Sequence, residues 1–261
     1  MKGNSKTNFE KSEDELDTEL VGKLQKLGAE NKYKEYLDLL NENLAKVEIE
    51  ESNEELLYLP KYLSQDIFIK LVTDLKLEED KNEQRLFLRK GVIERLNEAQ
   101  KSLPQGYHLA IGDALRTEEI VLGLYRYYFD KKKKEEPGLS DEEIDLWLRN
   151  VLAMPDDPVP PGHMTGGAVD VSLADDKGEK IPLEVDKKVI PGDEQSFTFC
   201  PKLPADIKEK RKILYDALIN VGFYNYSREY WHYFFGDAYW AVRRKTKKAI
   251  YGIARDDLLR R

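Results

Sequence analysis

Cysteine occurs once in the 261 residues, which excludes an intrachain disulfide and suits a reducing, cytoplasmic setting. Cys200 lies in Phe199-Cys200-Pro201 with no base close by in sequence, so it reads as a semi-buried thiol rather than a nucleophile. Long apolar runs are also missing. The stretch from Met1 to Glu19 is polar and charged, without the apolar segment of a secretion signal, and nothing approaches the length of a membrane span. A soluble chain with no membrane partner is expected. Positive charge is not in excess: 42 Lys and Arg stand against 50 Asp and Glu, a net charge of −8, whereas a nucleic-acid binder carries a basic stripe. The one basic run, Lys131 to Lys134, is followed at once by Glu135 and Glu136 and reads as a solvated loop.

The length allows one large domain, or one domain with an extension. Leu16, Leu20, Leu24 and Leu27 recur at helical spacing, and Tyr33, Tyr36, Leu37, Leu40 and Leu44 continue the pattern after Gly28. This predicts an N-terminal helical extension over residues 1–55, ending in an acidic connection from 45 to 55, and a main domain over 56–261. Within the main domain the spacing predicts a helix from Gln84 to Leu103, with Arg85 and Arg89 off its apolar face. A strand follows from Tyr107 to Asp113, with His108 on its outer face as a surface or hydrogen-bonded residue. Arg116 then stands just past the strand end, before a helix over Ile120 to Phe129. Ser140 with Glu143 forms a capping box. A helix from Ala205 to Val221 stops at Gly222, and an exposed helix is expected over Arg243 to Lys248.

Histidine is scarce, with three residues: His108, His163 and His232. His163 and Asp170 stand seven positions apart in Pro161-Gly162-His163-Met164-Thr165-Gly166-Gly167-Ala168-Val169-Asp170. The prolines before His163 stiffen its approach and place it on a loop, and the two glycines allow a sharp turn. From Ala168 to Leu173 the alternation sends Val169, Val171 and Leu173 to the core and Asp170 to the other face. Far along the chain comes Glu229-Tyr230-Trp231-His232. A regular strand would put Glu229 and His232 on opposite faces, so one site can use both only if the backbone bends near Ser227 to Glu229. Two imidazoles, an aspartate and a neighbouring glutamate are the parts of a catalytic zinc site: three protein ligands, one open position and a base.

His163-Met-Thr-Gly166-Gly-Ala168-Val-Asp170 resembles the H-x-x-G-x-A-x-D signature of the zinc D,D-peptidases, and Glu229-Tyr-Trp231-His232 resembles their E-x-W-H. Asp113-Ala-Leu-Arg116 is similar to the D-x-x-R element of the D-alanyl-D-alanine dipeptidases of the vancomycin-resistance type. The resemblance covers roughly residues 85 to 240. It implies that His163, Asp170 and His232 bind zinc, that Glu229 is general base and acid, and that Arg116 holds the scissile carbonyl oxygen. It also implies an α+β domain with a small antiparallel sheet flanked by helices, as in the hedgehog and D,D-peptidase fold. The substrate would be a small peptide, D-alanyl-D-alanine. Two departures stand out. Pro161 replaces the serine usual two residues before the first histidine, and Thr117 stands where a proline commonly follows the arginine. The acid that would bind a substrate ammonium is left open among Asp186, Asp193 and Glu194, on an irregular stretch from 184 to 204 expected beside the site. A carboxypeptidase acting on peptidoglycan stem peptides and a non-catalytic zinc module are the alternative readings.

Overall fold

The computed structural model describes residue 23 and residues 33–72, 79–149, 151–185, 193–244 and 246–261. The leucine pattern from Leu16 to Leu27 and Asp186 lie outside the described residues. Ten short strands are described: β1 (Glu48–Ile49), β2 (Leu56–Tyr58), β3 (Phe68–Ile69), β4 (Phe87–Arg89), β5 (His108–Asp113), β6 (Ala168–Ala174), β7 (Tyr224–Asn225), β8 (His232–Phe234), β9 (Lys248–Ala249) and β10 (Leu259–Arg260). The main sheet runs β3-β5-β6-β8-β7; its pairings are antiparallel except for β3 on β5. Two satellite sheets, β10-β2-β4 and β1-β9, adjoin it. The architecture is α+β.

The core forms on one face of the main sheet. Leu109 and Ile111 of β5 and Val169, Val171 and Leu173 of β6 are buried there, as the alternation requires. Val92, Leu96 and Ala99 of the helix Lys90–Ser102 and Leu214 and Leu218 of the helix Ala205–Ile219 join the same cluster. Each such Val, Leu or Ile side chain, fully buried, contributes about 1.5–3 kcal/mol. Asp170 and Ser172 occupy the opposite face, where a cavity of ≈ 1190 Å³ lies between the sheet and the helix Glu118–Glu135. Among the described residues, no helix is long and apolar enough to cross a membrane.

Several elements differ from the sequence expectation. The helix expected from Gln84 begins at Lys90, because Phe87–Arg89 pairs with β2 as a strand. Lys131 to Lys134 end the helix Glu118–Glu135 instead of forming a loop; there they meet the carbonyl end of the helix dipole, with Lys132 paired to Glu136 and Lys133 to Asp141. The segment expected to be an exposed helix after Trp240 has its helix over Ala238–Arg243, and Lys248–Ala249 pairs in parallel with β1. The acidic stretch 45–55 therefore holds a strand bonded to the main body. Ser140 and Glu143 do form the reciprocal cap, with the Ser140 N–H donating to Glu143 at 2.8 Å and the Glu143 N–H donating to Ser140 Oγ at 3.2 Å. Cys200 is buried completely, against Leu203 and Ile207.

Candidate active site

The site is assembled by strand register. Asp170 of β6 lies directly opposite His232 of β8, so the two side chains stand on one face. His232 Nδ1 is 2.9 Å from Asp170 Oδ1. His163 sits not on a loop but on a four-residue helix, Gly162–Thr165, closed by Gly166 at φ 71°. A side chain at Gly166 would meet Leu56 Cδ2 at 2.5 Å, so both the left-handed turn and the close approach require glycine. His163 Nδ1 lies 2.6 Å from the Ala114 carbonyl oxygen, to which it donates. That bond fixes the tautomer and turns the Nε2 lone pair inward. Nε2 then lies 3.2 Å from His232 Nδ1 and 3.3 Å from Asp170 Oδ1.

Three donor atoms separated by 2.9, 3.2 and 3.3 Å match one face of a metal tetrahedron. Donors at 2.0–2.1 Å from a common ion stand about 3.3 Å apart. The group His163, Asp170 and His232 has the donor types and the spacing to hold a cation. Burial works against the Asp170 charge, yet the two imidazoles hold its carboxyl well below the usual carboxylate range.

A bulge brings the cationic part of the site into place. Ile111 pairs with Val171, but Asp113 pairs with Asp170, so β5 carries an extra residue at Gly112. Asp113 is thereby set against Asp170, and Arg116 spans the two: Nε donates to Asp113 at 2.8 Å and Nη2 to Asp170 at 3.3 Å. Arg85 donates to the other Asp113 oxygen at 2.9 Å. The two guanidiniums keep the buried Asp113 carboxyl ionised against its desolvation. Thr117, in the position noted for proline, caps the following helix by accepting from the Ile120 N–H at 3.4 Å.

Glu229 lies in the turn between β7 and β8, so the bend expected near 227–229 is the tip of a hairpin. The Glu229 N–H donates to Tyr226 O at 2.8 Å and the His232 N–H to Glu229 O at 3.1 Å. Asn225 donates from Nδ2 to both Glu229 O (3.1 Å) and His232 O (3.0 Å), which ties the turn to the strand. Thr198 in turn donates from Oγ1 to Asn225 Oδ1. Neither Asn225 nor Thr198 is legible in the sequence as a site residue: Asn225 acts through backbone carbonyls, Thr198 acts through the Asn225 amide, and neither carries a motif. The Glu229 carboxyl faces the cavity, and burial pushes it up to about 7.

His108 is remote from the cluster. It is hydrogen-bonded to Asp66 O and Asp176, as a surface residue would be. Of the three acids considered for the amine, Asp186 is not described, and Glu194 pairs with Lys202 at 2.6 Å. Asp193 is exposed and, like Glu194, does not line the cavity. From the same stretch Glu184 does line it, accepting from Tyr230 Oη at 2.6 Å and Lys180 Nζ at 2.7 Å.

A donor cluster, a buried carboxyl and a fixed cation sharing one cavity are the parts of a hydrolase site. The family model described as D-Ala-D-Ala dipeptidase, peptidase family M15, matches residues 61–250, and the chain belongs to that family of peptidases. A D-alanyl-D-alanine dipeptidase from Synechocystis sp. is 27% identical over 184 residues, covering 59% of this chain and 71% of the relative.

Proposed function

We propose that the protein hydrolyses the D-alanyl-D-alanine dipeptide with one zinc ion held by His163, Asp170 and His232. The observation that carries this reading is the convergence of His163 Nε2, His232 Nδ1 and Asp170 Oδ1 within 3.3 Å of one another, in the cavity that Glu229 and Arg116 also line. Zinc, when bound, supplies a Lewis acid that acidifies water and polarises a carbonyl. The chain's own residues do the rest. Glu229 takes a proton from the attacking water and returns it to the leaving amine. Arg116 sets a cation against the carbonyl oxygen as its charge develops. Asp113 keeps Arg116 aimed, and Arg85 keeps Asp113 charged.

Zinc content and dipeptide hydrolysis measured on one sample test the reading directly. About one zinc per chain with turnover is expected; protein refolded with the metal that retains none overturns it. His163→Ala removes one of three ligands and lowers zinc affinity, read at limiting metal against a chelator. Unchanged occupancy would remove His163 from the site.

Substrate size is the second test. A dipeptidase recognises a free ammonium close to the reacting carbonyl. Glu184 lines the cavity with a carboxylate and suits that role. Acetylating the amine of the dipeptide abolishes turnover on this reading. Equal rates on free and acetylated substrates point instead to a carboxypeptidase acting on longer peptides.

A further inference from the structure

Arg89, at the end of β4, has a fully buried side chain and is not among the residues lining the cavity. All five of its guanidinium N–H groups are used. Nε donates to Thr165 O at 2.9 Å; Nη1 donates to Glu51 Oε1 at 3.1 Å and Glu54 O at 2.7 Å; Nη2 donates to Glu51 Oε2 at 3.1 Å and Gly252 O at 3.3 Å. Its backbone N–H donates to Gly166 O at 3.0 Å. Thr165 and Gly166 close the one-turn helix that carries His163. A single turn has almost no stability of its own, so the aim of the His163 imidazole rests on bonds from outside. On one side these come from the end of β5, where His163 Nδ1 donates to Ala114 O and the Arg116 N–H donates to His163 O. On the other side stands Arg89.

Glu51 sets the geometry of that second clamp. Its carboxylate takes Arg89 in a two-bond fork and also accepts from the Asn53 N–H and the Gly252 N–H, each at 2.7 Å. The acidic stretch before β2 thus reaches the ligand helix through one buried guanidinium. We propose that Arg89, held by Glu51, is a positioning residue for His163 and sets the donor geometry of the metal site. The proposal rests on the zinc reading above.

A buried ion pair also stabilises the fold, so the test separates position from stability. Arg89→Lys keeps the charge but cannot reproduce the fork. Glu51→Gln removes the paired charge. Leu96→Ala, in the core two turns along the next helix, serves as a destabilised control. Zinc affinity is measured by chelator competition well below the melting temperature of each variant. The imidazole ¹H–¹⁵N signals are recorded on the metal-free proteins. Arg89→Lys and Glu51→Gln weaken zinc binding by about 10-fold, the low end of what losing a ligand's direct outer partner costs, because Arg89 bonds the Thr165 and Gly166 carbonyls and not the imidazole. They also displace the His163 Nδ1–H signal, while Leu96→Ala changes neither despite its lower melting temperature. Wild-type zinc affinity in Arg89→Lys, or an equal loss in Leu96→Ala, overturns the proposal. If the wild-type chain binds no zinc, the metal reading fails by itself. The Arg89 role is then decided by the imidazole signal, and an unmoved His163 in Arg89→Lys overturns it.

Discussion

Glu229→Gln lowers kcat by about 10²–10⁴-fold while zinc stays bound, the range for loss of a positioned acid–base group. Glutamine keeps the volume and the hydrogen-bonding reach but accepts no proton from water. The turn itself is held by backbone bonds and by Asn225, none of which uses the Glu229 carboxyl, so the substitution leaves His232 where it is. The pH dependence carries a second signature. Burial lifts the Glu229 pKa to about 7, which disfavours the ionised base at lower pH. A bound dication draws the value back down. The acid limb of kcat/KM therefore falls below pH 7 in the zinc enzyme, with rate rising as the carboxyl ionises. In Glu229→Gln the residual rate loses that limb. Loss of zinc from the variant would make Glu229 a ligand and reverse the assignment.

What was legible in the sequence follows what is local. The alternation through Ala168 to Leu173 reports a period of two and by itself puts Asp170 on the face opposite the core. The capping box at Ser140 spans four residues and was readable for the same reason. The buried arginines were not. Arg85 and Arg89 read as lying off the apolar face because charge in a helical pattern is normally solvated, and nothing in the pattern from Ala205 to Val221 singles out Arg211. Their partners lie far off in the chain: Asp113 for Arg85, Glu51 for Arg89, and the carbonyls of Leu183, Gln195 and Phe197 for Arg211. The strand Phe87–Arg89 was absorbed into the following helix because three residues show no period of their own. The bulge at Gly112 was equally silent, since register belongs to a pair of strands. Yet it is the bulge that opposes Asp113 to Asp170 and so gives Arg116 its two carboxylates.

Arg116→Ala lowers kcat by about 10²–10³-fold, the cost of removing one donor that meets developing negative charge. The KM change is smaller, because the interaction strengthens as the carbonyl oxygen becomes an oxyanion. Zinc is retained, since arginine carries only donors and cannot be a ligand. The fold survives as well: Asp113 keeps its 2.9 Å bond to Arg85 and is not left as an uncompensated buried charge. Arg116→Lys is the informative companion. A lysine keeps the cation but offers a point charge in place of the planar fork that spans Asp113 and Asp170. Rate recovery in Arg116→Lys to near wild type would mean that charge alone suffices. A rate close to that of Arg116→Ala means that the fork, aimed by Asp113 across the bulge, does the positioning. If Arg116→Ala instead sheds zinc, the residue works by orienting Asp170 and has no direct part in meeting the oxyanion. A rise in KM with kcat unchanged would assign Arg116 to uniform substrate binding.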